Sequence, residues 1–574
     1  MEQTEKEKLF NYYIDGSQQP VDNSLSDLKS STIPDRIWKK DYSVWSNKPV
    51  EITNRLGWLD SPDVSLNFAD EIISFVQSVK KDGFTQALLL GMGGSSLAPE
   101  VFNYSFGVKE GYLNLEVLDS THPETILDYS NQYDPAKTLY IVSTKSGGTV
   151  ETFSFMKYFY NQTIAKLGKE NAGRHFIAIT DPGSGLESTA QKLNFRKIFL
   201  NDPNIGGRYS ALSLFGIVPA ALMGVDIVKL LNNARKEADQ SKNPDVKENV
   251  SSVLGVILGE MSNLGNDKVT FITSLQLSYF GGWVEQLIAE STGKSGKGIL
   301  PVIGEEILAP ENYSNDRLFI YLHLLNDNNN EVKVKALIEA GQPVVEIVLN
   351  DIYDLGREFF RWEMATAIAS WKIEITPFDQ PDVESAKILA RKMVQEYKEN
   401  GKLPELIPTI KENDITVYGN EPAVSIEDAL DNLFENIDKK DKTKPRSYVS
   451  LQAYLARNKN IDEEIQNFRT AIQLKYKVAV TVGYGPRFLH STGQLHKGDA
   501  GNGIFIQFIS PVKNDAAIPD EAGESASSMS FGVLIKSQAL GDRQALIEGK
   551  RKIITIDLGH EPEKALKKLT EIVK

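Results

Sequence analysis

The sequence predicts an α/β protein whose parallel sheets are flanked by helices and arranged in three sheet-containing units. Short strands rich in valine, isoleucine and leucine alternate with helical stretches from about residue 70 onward. Strands separated by helices form parallel sheets with right-handed crossovers. The alternation restarts twice, and 574 residues are too many for a single core. Ligands of such sheets bind beyond the carboxyl ends of the strands, so a site is expected there.

An N-terminal segment, residues 1–65, precedes the first alternation of strands and helices. Three tryptophans lie among its polar residues, at positions 38, 45 and 58. Terminal segments are ordered when such side chains tie them to the rest of the protein. We therefore expect an ordered arm packed on the body.

The first two units follow this arm. The first, residues 66–240, opens with helical periodicity and contains three apolar strands; the helix is expected over 69–81 and the strands over 87–90, 139–142 and 176–180. The second unit, residues 241–405, begins within the polar stretch 238–247. Its strands are expected over 269–273, 318–322 and 343–349, and its later helices over 352–371 and 382–399.

The third unit covers residues 406–574. The charged run 436–444 predicts a surface connection near its start. Its strands are expected over 448–454, 477–482, 503–509 and 552–558. A third α/β unit thus completes the chain.

Charge and composition exclude several classes of function. The 63 basic and 77 acidic residues give a net charge of −14, which argues against nucleic acid and anionic membranes as partners. The absence of cysteine excludes disulfides, thiolate metal sites and a cysteine nucleophile. No segment approaches the roughly 20 apolar residues of a spanning helix, and the N-terminus is charged where a signal peptide is apolar. We expect a soluble, cytoplasmic protein that binds small molecules.

The first candidate loop, GMGGSS, directly follows the strand that ends near residue 90. It lacks the third glycine of a dinucleotide fingerprint because that position is Ser96. No P-loop sequence occurs elsewhere, so no nucleotide cofactor is predicted. Gly94 and Ser95 can instead present backbone N–H groups and a hydroxyl to a phosphate at a helix N-terminus. The alternative is that these glycines only allow a tight turn.

The second candidate loop follows the strand that ends near residue 142. Thr144, Ser146 and Thr149 offer hydroxyl groups, and Lys145 offers a positive charge. A phosphate monoester is matched by several neutral donors together with one or two cations. The alternative is an ordinary helix cap with a solvated lysine. Two such loops in one sheet favour a phosphate site.

Two later segments carry candidates for proton transfer. Gly207 lets the backbone approach a ligand, and Arg208 can stabilise an oxyanion, although most arginines are surface charges. Gln286 and Glu290 share one face of a predicted helix that ends near Gly293. Glu290 lies in the last turn, where the helix dipole disfavours a carboxylate, and this suits a general base. A solvated glutamate is the alternative.

The remaining candidates are a lysine and two histidines. Lys387 follows Glu384 by three positions on a predicted helix, which by itself indicates a surface ion pair. Only His490 and His496 of the six histidines lie in a glycine-rich setting, whereas His323 is expected to be structural. The histidines are too scattered in sequence for a metal cluster, so we predict no metal.

Five motifs in this order, GMGGSSLAPE, STKSGGTVET, GGRYSALS, ESTGK and FDQPDVESAK, resemble the glucose-6-phosphate isomerase family over residues 85–400. The sequences of these motifs are most similar to the isomerase half of the bacterial fusion protein of transaldolase and glucose-6-phosphate isomerase. The first strand begins too early for a barrel of about 250 residues upstream, so no transaldolase half is expected. The resemblance implies two sugar-isomerase domains with the active site between them, often in a homodimer.

The resemblance also implies roles for individual residues. The base that moves a proton between C1 and C2 would be Glu290, with Gln286 beside it. Arg208 and the Gly207 backbone would stabilise the enediolate, and Lys387 would assist ring opening. The 6-phosphate would be held by the loop residues Gly94, Ser95, Thr144, Lys145, Ser146 and Thr149.

The sequence departs from the family pattern at three places. The family's ring-opening histidine stands between the glutamate and the lysine, where this chain has only His323 in a different context. We therefore expect His496 to be the acid, with His490 as its rival. Asp382 replaces a family glycine, and Gly147 replaces an aromatic residue, so loop shape and substrate breadth are open.

The leading prediction is an isomerase that interconverts glucose 6-phosphate and fructose 6-phosphate without a cofactor. Two alternatives are an enzyme that also accepts mannose 6-phosphate and a non-catalytic regulator that binds a sugar phosphate. A regulator needs only the phosphate loops, so Glu290 together with Arg208 and Lys387 favours an enzyme. An aminosugar synthase would need a cysteine nucleophile, which the chain lacks.

Overall fold

The computed structural model describes residues 9–419, 421–435, 437 and 447–574. The predicted surface connection 436–444 lies outside the described residues, apart from Ile437. Within the described residues, helices flank three large sheets with mainly parallel strands, which confirms the predicted α/β class. None of the helices in this part of the chain has the length and apolar character needed to cross a membrane.

The N-terminal segment is bound to the body through its tryptophans and one strand. The Trp45 indole donates to the carbonyl of Ala367 at 2.8 Å, and Trp58 is fully buried. Strand β1 (Phe10–Tyr13) pairs with the second sheet in antiparallel orientation. The helices of this segment are α1 (Gln18–Ser30), α2 (Ile33–Trp38) and α3 (Ser61–Asn67).

The first sheet is fully parallel and has the strand order β3-β2-β4-β5-β6. Its strands are β2 (Gln86–Gly91), β3 (Asn114–Leu118), β4 (Thr138–Ser143), β5 (Phe176–Thr180) and β6 (Lys197–Leu200). The helices of this region are α4 (Ala69–Lys81), α5 (Leu97–Phe106), α6 (Pro123–Gln132), α7 (Val150–Leu167), α8 (Lys169–Ala172), α9 (Gly185–Lys192), α10 (Leu214–Leu222) and α11 (Ile227–Gln240). Strand β2 is buried from its second residue onward, as expected for a central parallel strand.

The second sheet has the order β1-β10-β9-β7-β8. Its parallel strands are β7 (Lys268–Thr273), β8 (Leu300–Val302), β9 (Arg317–Leu324) and β10 (Val344–Leu349). The helices here are α12 (Val250–Asn263), α13 (Phe280–Thr292), α14 (Glu331–Glu339), α15 (Leu355–Lys372) and α16 (Val383–Asn400). One continuous apolar core joins the first and second sheets, with Trp283 and Trp362 fully buried in it.

The third sheet has the order β11-β12-β18-β15-β13-β14, with its first two strands antiparallel. Its strands are β11 (Ile410–Glu412), β12 (Ile415–Tyr418), β13 (Tyr448–Tyr454), β14 (Ala479–Tyr484), β15 (Gly503–Ile509) and β18 (Lys552–Asp557), and β16 (Ala517–Ile518) pairs with β17 (Met529–Ser530). The helices are α17 (Ile426–Phe434), α18 (Lys459–Tyr476), α19 (Gly493–Gly498), α20 (Phe531–Glu548) and α21 (Pro562–Val573).

The third unit packs against the end of helix α13. A Cβ atom on Gly293 would lie 2.3 Å from the Cα atom of Leu495, so only glycine fits this approach. The Gln494 side chain donates to the Gly293 carbonyl at 2.9 Å and to the Asp382 carboxylate at 2.6 Å. Helix α16 also packs along helix α20. The third unit is therefore in contact with the elements that carry the predicted site.

Candidate active site

The two predicted phosphate loops lie side by side at the carboxyl edge of the first sheet. Strands β2 and β4 are neighbours, with Gly91 paired to Ser143, so the loops that follow them begin at the same level. The Ser143 hydroxyl donates to the carbonyl of Ser95 at 3.1 Å and ties the loops together. The Thr144 and Thr149 hydroxyls are 3.0 Å apart. Each loop leads directly into a helix N-terminus, where N–H groups favour an anion.

Lys145 of the second loop is engaged by a carboxylate. Its ammonium forms an ion pair with Asp181 and donates to the carbonyl of Pro203 at 2.8 Å. Burial raises the pKa of Asp181, and the hydrogen bond and charge of Lys145 offset this rise only in part. The positive charge of Lys145 is thus shared with Asp181 at the edge of the loop.

The first loop touches the glycine loop that carries Arg208. A Cβ atom on Gly94 would lie 2.0 Å from the carbonyl oxygen of Gly207, so the two backbones leave no space for a side chain. The Ser210 hydroxyl bonds to the carbonyls of both glycines, at 3.2 Å for Gly94 and 2.7 Å for Gly207. This contact fixes Arg208 next to the first phosphate loop.

Arg208 is buried and makes an ion pair with Glu290. Its Nη1 atom donates to Glu290 Oε2 at 3.1 Å, and the exposed fraction of the two residues is 3% and 8%. The other bonds of its guanidinium go to the Ser291 hydroxyl (3.0 Å), the Gln380 amide oxygen (2.9 Å) and the carbonyls of Pro377 (2.6 Å) and Asp379 (3.0 Å). A carboxylate and a fixed cation therefore meet in a nearly dry environment, where electrostatic interactions are strong.

Lys294 holds the same segment from the other side. Its ammonium donates to the carbonyl of Thr376 and to the carboxylate of Asp379, both at 2.9 Å. Burial and the charge of Arg208 lower the pKa of Lys294 to about 8, although Asp379 opposes this shift. Sequence reasoning gave Lys294 no role, although it is the last residue of the ESTGK motif.

A cavity of about 330 Å³ opens between the second phosphate loop, helix α16 and the third unit. This volume is in the range of sites for small molecules. Its walls include the predicted binding residues Ser146 and Thr149, the residues Lys387 and His490 that were predicted as candidates for ring opening, and also Glu151 and Gln538. The structure thus brings residues from three parts of the chain to one cavity.

His490 connects this cavity to helix α13. Its Nε2 atom lies 3.3 Å from Glu151 Oε1, and the Gln286 side chain donates to its carbonyl oxygen at 2.7 Å. A Cβ atom on Gly93 would lie 3.0 Å from the Cβ atom of His490. Burial raises the pKa of Glu151, but the hydrogen bond and charge of His490, aided by Lys387, outweigh burial and leave the pKa below its ordinary value.

The structure does not bring His496 to the cavity. The ring of His496 is buried in the third unit, 5.2 Å from the ring of Phe505 and 3.5 Å from the polar groups of Ser450 and Gln452. Burial holds its pKa well below the ordinary range, with the charge of Lys497 adding to the effect. An enclosed neutral imidazole is poorly placed to donate a proton to a sugar. Of the two candidate histidines, the structure places His490 at the cavity and not His496.

Glu151 and Gln538 were not found by sequence reasoning. Glu151 stands in the STKSGGTVET motif, and its place in the first turn after the hydroxyl-rich loop could have indicated a role. Gln538 lies in the middle of helix α20, 387 residues away from Glu151 in sequence, with no local signal. Only folding brings them together.

Known proteins are similar to this chain in sequence. Residues 66–299 match the family model described as phosphoglucose isomerase. A probable glucose-6-phosphate isomerase of Methanococcus maripaludis is 30% identical over 381 residues, which cover 60% of this chain and 85% of that protein. This chain belongs to the glucose-6-phosphate isomerase family.

A further relative and two solved structures are also similar to this chain. A glucose-6-phosphate isomerase of Thermus thermophilus is 29% identical over 384 residues, covering 59% of this chain and 89% of that protein. A solved structure of a hypothetical protein from the same organism has a TM-score of 0.58 and 26% identity, covering 67% of this chain and 99% of that one. The structure of a Chlamydia trachomatis glucose-6-phosphate isomerase shares the fold, with a TM-score of 0.57 at 18% identity, and the match covers 65% of this chain and 86% of that one.

Proposed function

We propose that this protein interconverts glucose 6-phosphate and fructose 6-phosphate through a cis-enediol intermediate. The observation that carries the proposal is the buried pair of Glu290 and Arg208, held beside the first of the two loops suited to a phosphate. Aldose–ketose exchange needs one carboxylate that removes and returns a proton, a cation near the enediolate and an anchor at the distant phosphate. The site offers all three.

The phosphate is assigned to the two loops at the edge of the first sheet. Backbone N–H groups at the start of α7 and the hydroxyls of Ser95, Thr144, Ser146 and Thr149 supply neutral donors. Lys145 shares its charge with Asp181. Lys387, which lines the cavity together with Ser146 and Thr149, adds positive charge. Binding energy at this end of the substrate fixes the geometry at C1 and C2.

Ring opening is assigned to His490, with Lys387 assisting. An ionised carboxylate only accepts hydrogen bonds, so the proton between His490 and Glu151 resides on Nε2. The Nδ1 atom is then the nitrogen available to the ring oxygen of the sugar. Glu151 also stabilises the imidazolium that donates this proton.

Proton transfer is assigned to Glu290. Its carboxylate removes a proton from C1 of open-chain fructose 6-phosphate, and the electron pair of that bond forms the C1–C2 double bond while O2 gains negative charge. Arg208 stabilises this charge. Glu290 then delivers its proton to C2, while the O1 proton moves to O2, and glucose 6-phosphate results. Gln286, one turn before Glu290, positions the substrate from the same helix face.

An acyclic substrate separates ring opening from proton transfer. The compound 5-deoxyfructose 6-phosphate has no 5-hydroxyl and cannot close a furanose ring, so its isomerisation needs no ring-opening acid. We expect His490→Asn to slow turnover of fructose 6-phosphate about a hundredfold and to leave C1 proton exchange of the acyclic compound unchanged. The surface variant His560→Asn is the control. Absence of fructose 6-phosphate turnover by the wild-type protein would refute the proposed function.

We further propose that the protein is a cytoplasmic homodimer that acts in glycolysis and gluconeogenesis, as the family resemblance implies. Leu275 is 88% exposed, and Tyr104 and Leu325 are about half exposed on the same open surface. A second copy of the chain would cover these apolar side chains. Sedimentation equilibrium of the wild-type protein and of Leu275→Asp tests this contact.

A further inference from the structure

A buried amide from the third unit lies behind the Glu151–His490 pair. Gln538 belongs to helix α20 and is 5% exposed. Its Nε2 atom donates to Glu151 Oε1 at 2.7 Å, and its Oε1 atom accepts from the hydroxyl of Thr121 at 2.7 Å. Thr121 is fully buried in the loop that follows strand β3. Gln538 thus joins the first sheet, the Glu151 carboxylate and the third unit.

The direction of each hydrogen bond that links His490, Glu151, Gln538 and Thr121 is determined. An ionised carboxylate has no proton to give, so both Gln538 and His490 donate to Glu151. The amide oxygen of Gln538 then faces Thr121, whose hydroxyl is the donor. A primary amide combines a donor and an acceptor at the required positions. A methionine would lose both bonds, and an ionised glutamate would lose the donor.

We propose that Gln538 is a positioning residue for ring opening: with Thr121, it holds the Glu151 carboxylate where it accepts the Nε2 proton of His490. This proposal rests on the proposed function and deepens it, because it assigns a catalytic requirement to the third unit. Without Gln538, Glu151 can turn toward Lys387, which lines the same cavity. His490 would then lose its fixed orientation toward the sugar.

The charges around Glu151 make a distinct prediction for a carboxylate at position 538. The titratable groups that interact with Glu151 are His490 and Lys387. In Gln538→Glu, a second carboxyl would replace the amide that now lies 2.7 Å from Glu151. Two such carboxyls share one proton near neutral pH. The single negative charge would then be divided between the two carboxyls, so Glu151 would present only part of it to His490.

The test compares Gln538→Met and Gln538→Glu with Gln544→Met. Gln544 lies on the same helix, and its amide bonds to Glu548 at the surface. For both Gln538 variants we expect kcat for fructose 6-phosphate to fall about tenfold, the size of one hydrogen bond to a charged group, with KM within twofold of wild type. Exchange of the C1 protons of 5-deoxyfructose 6-phosphate should keep the wild-type rate.

Thr121 gives a second pair of variants and an independent check. Thr121→Ser keeps the hydroxyl donor and should retain wild-type kcat, whereas Thr121→Val should lower kcat severalfold. Removal of a donor from Glu151 raises its pKa, so the acid limb of the kcat profile should move to higher pH in Gln538→Met.

Two results would overturn the proposal. One is a rate for Gln538→Met equal to that of the Gln544→Met control. The other is an equal loss on the cyclic and acyclic substrates, because that pattern indicates general damage to the site. Failure of the proposed function is distinguishable, since the wild-type protein itself would then show no turnover of fructose 6-phosphate.

Discussion

Glu285 provides a pH-dependent test of the contact between helix α13 and the third unit. It precedes Gln286 on that helix, and the Ser491 hydroxyl donates to its Oε1 atom at 3.3 Å. Burial raises the pKa of Glu285 from 4.5 to about 7, although the positive charges of Arg487 and Arg469 lower it. The folded protein therefore holds this proton more strongly than the unfolded chain does.

The size and sign of the effect follow from the pKa difference. A change from 4.5 to about 7 corresponds to about 3 kcal/mol at about 1.4 kcal/mol per pH unit. Because the side chain keeps partial contact with solvent, we expect about 1–3 kcal/mol. Between pH 4.5 and about pH 7 the folded state binds more protons than the unfolded state. The contribution of Glu285 to the free energy of unfolding therefore falls as the pH rises through this range, and it is constant below and above the range.

Glu285→Gln removes the titrating group and should therefore remove this decrease in the free energy of unfolding at higher pH. Relative to wild type, the variant should have nearly unchanged stability at pH 4.5 and be more stable by about 1–3 kcal/mol at pH 8, as measured by urea unfolding. Difference infrared spectroscopy of wild type against variant should show the protonated carboxyl disappearing with a midpoint of about pH 7. Glu311→Gln, at an exposed position, is the control. A stability difference that does not change with pH would show that Glu285 does not titrate in this range.

Further predictions concern the binding and reacting groups. Arg208→Lys should destabilise the protein by about 3–5 kcal/mol because it leaves buried acceptors unpaired, and it should abolish turnover. Urea unfolding measures the stability, and the fructose 6-phosphate assay measures the turnover. Wild-type stability or wild-type turnover in this variant would contradict the role assigned to Arg208. Gly94→Ala should lower kcat/KM more than tenfold, because its Cβ atom would lie 2.0 Å from a carbonyl oxygen, whereas Gly206→Ala, with its nearest atom at 3.8 Å, should be tolerated. Arg391 lines the cavity, so Arg391→Gln should raise KM about fivefold through lost attraction for the phosphate, with kcat unchanged. Lys392→Gln is the control. Equal KM values for the two variants would show that Arg391 does not attract the phosphate.

The strands and their terminal loops could be predicted from the sequence because the signals are local. A continuous apolar run such as the one before Gly91 is typical of a buried parallel strand, and the structure has β2 and β4 where they were expected. Adjacent parallel strands end at one edge, so the proximity of the two hydroxyl-rich loops followed from the fold class. The pairing of Arg208 with Glu290 needed the family resemblance in addition.

Long-range placement could not be predicted in the same way. His490 and His496 share one glycine-rich segment, but a short 3-10 turn directs His490 to the cavity, while helix α19 turns His496 into the interior of the third unit. No local pattern distinguishes these two outcomes. The same holds for Gln538, whose partners Glu151 and Thr121 lie about 400 residues earlier in the chain.

In the proposed reaction, the carboxylate of Glu290 moves the proton between C1 and C2. The most direct test is the exchange of C1 protons of fructose 6-phosphate in D₂O, followed by NMR for wild type and Glu290→Gln, with substrate affinity measured by calorimetry. We expect exchange to fall about a thousandfold in the variant, for cyclic and acyclic substrates alike, while the dissociation constant changes only a few-fold. Exchange at the wild-type rate in Glu290→Gln would exclude Glu290 as the base.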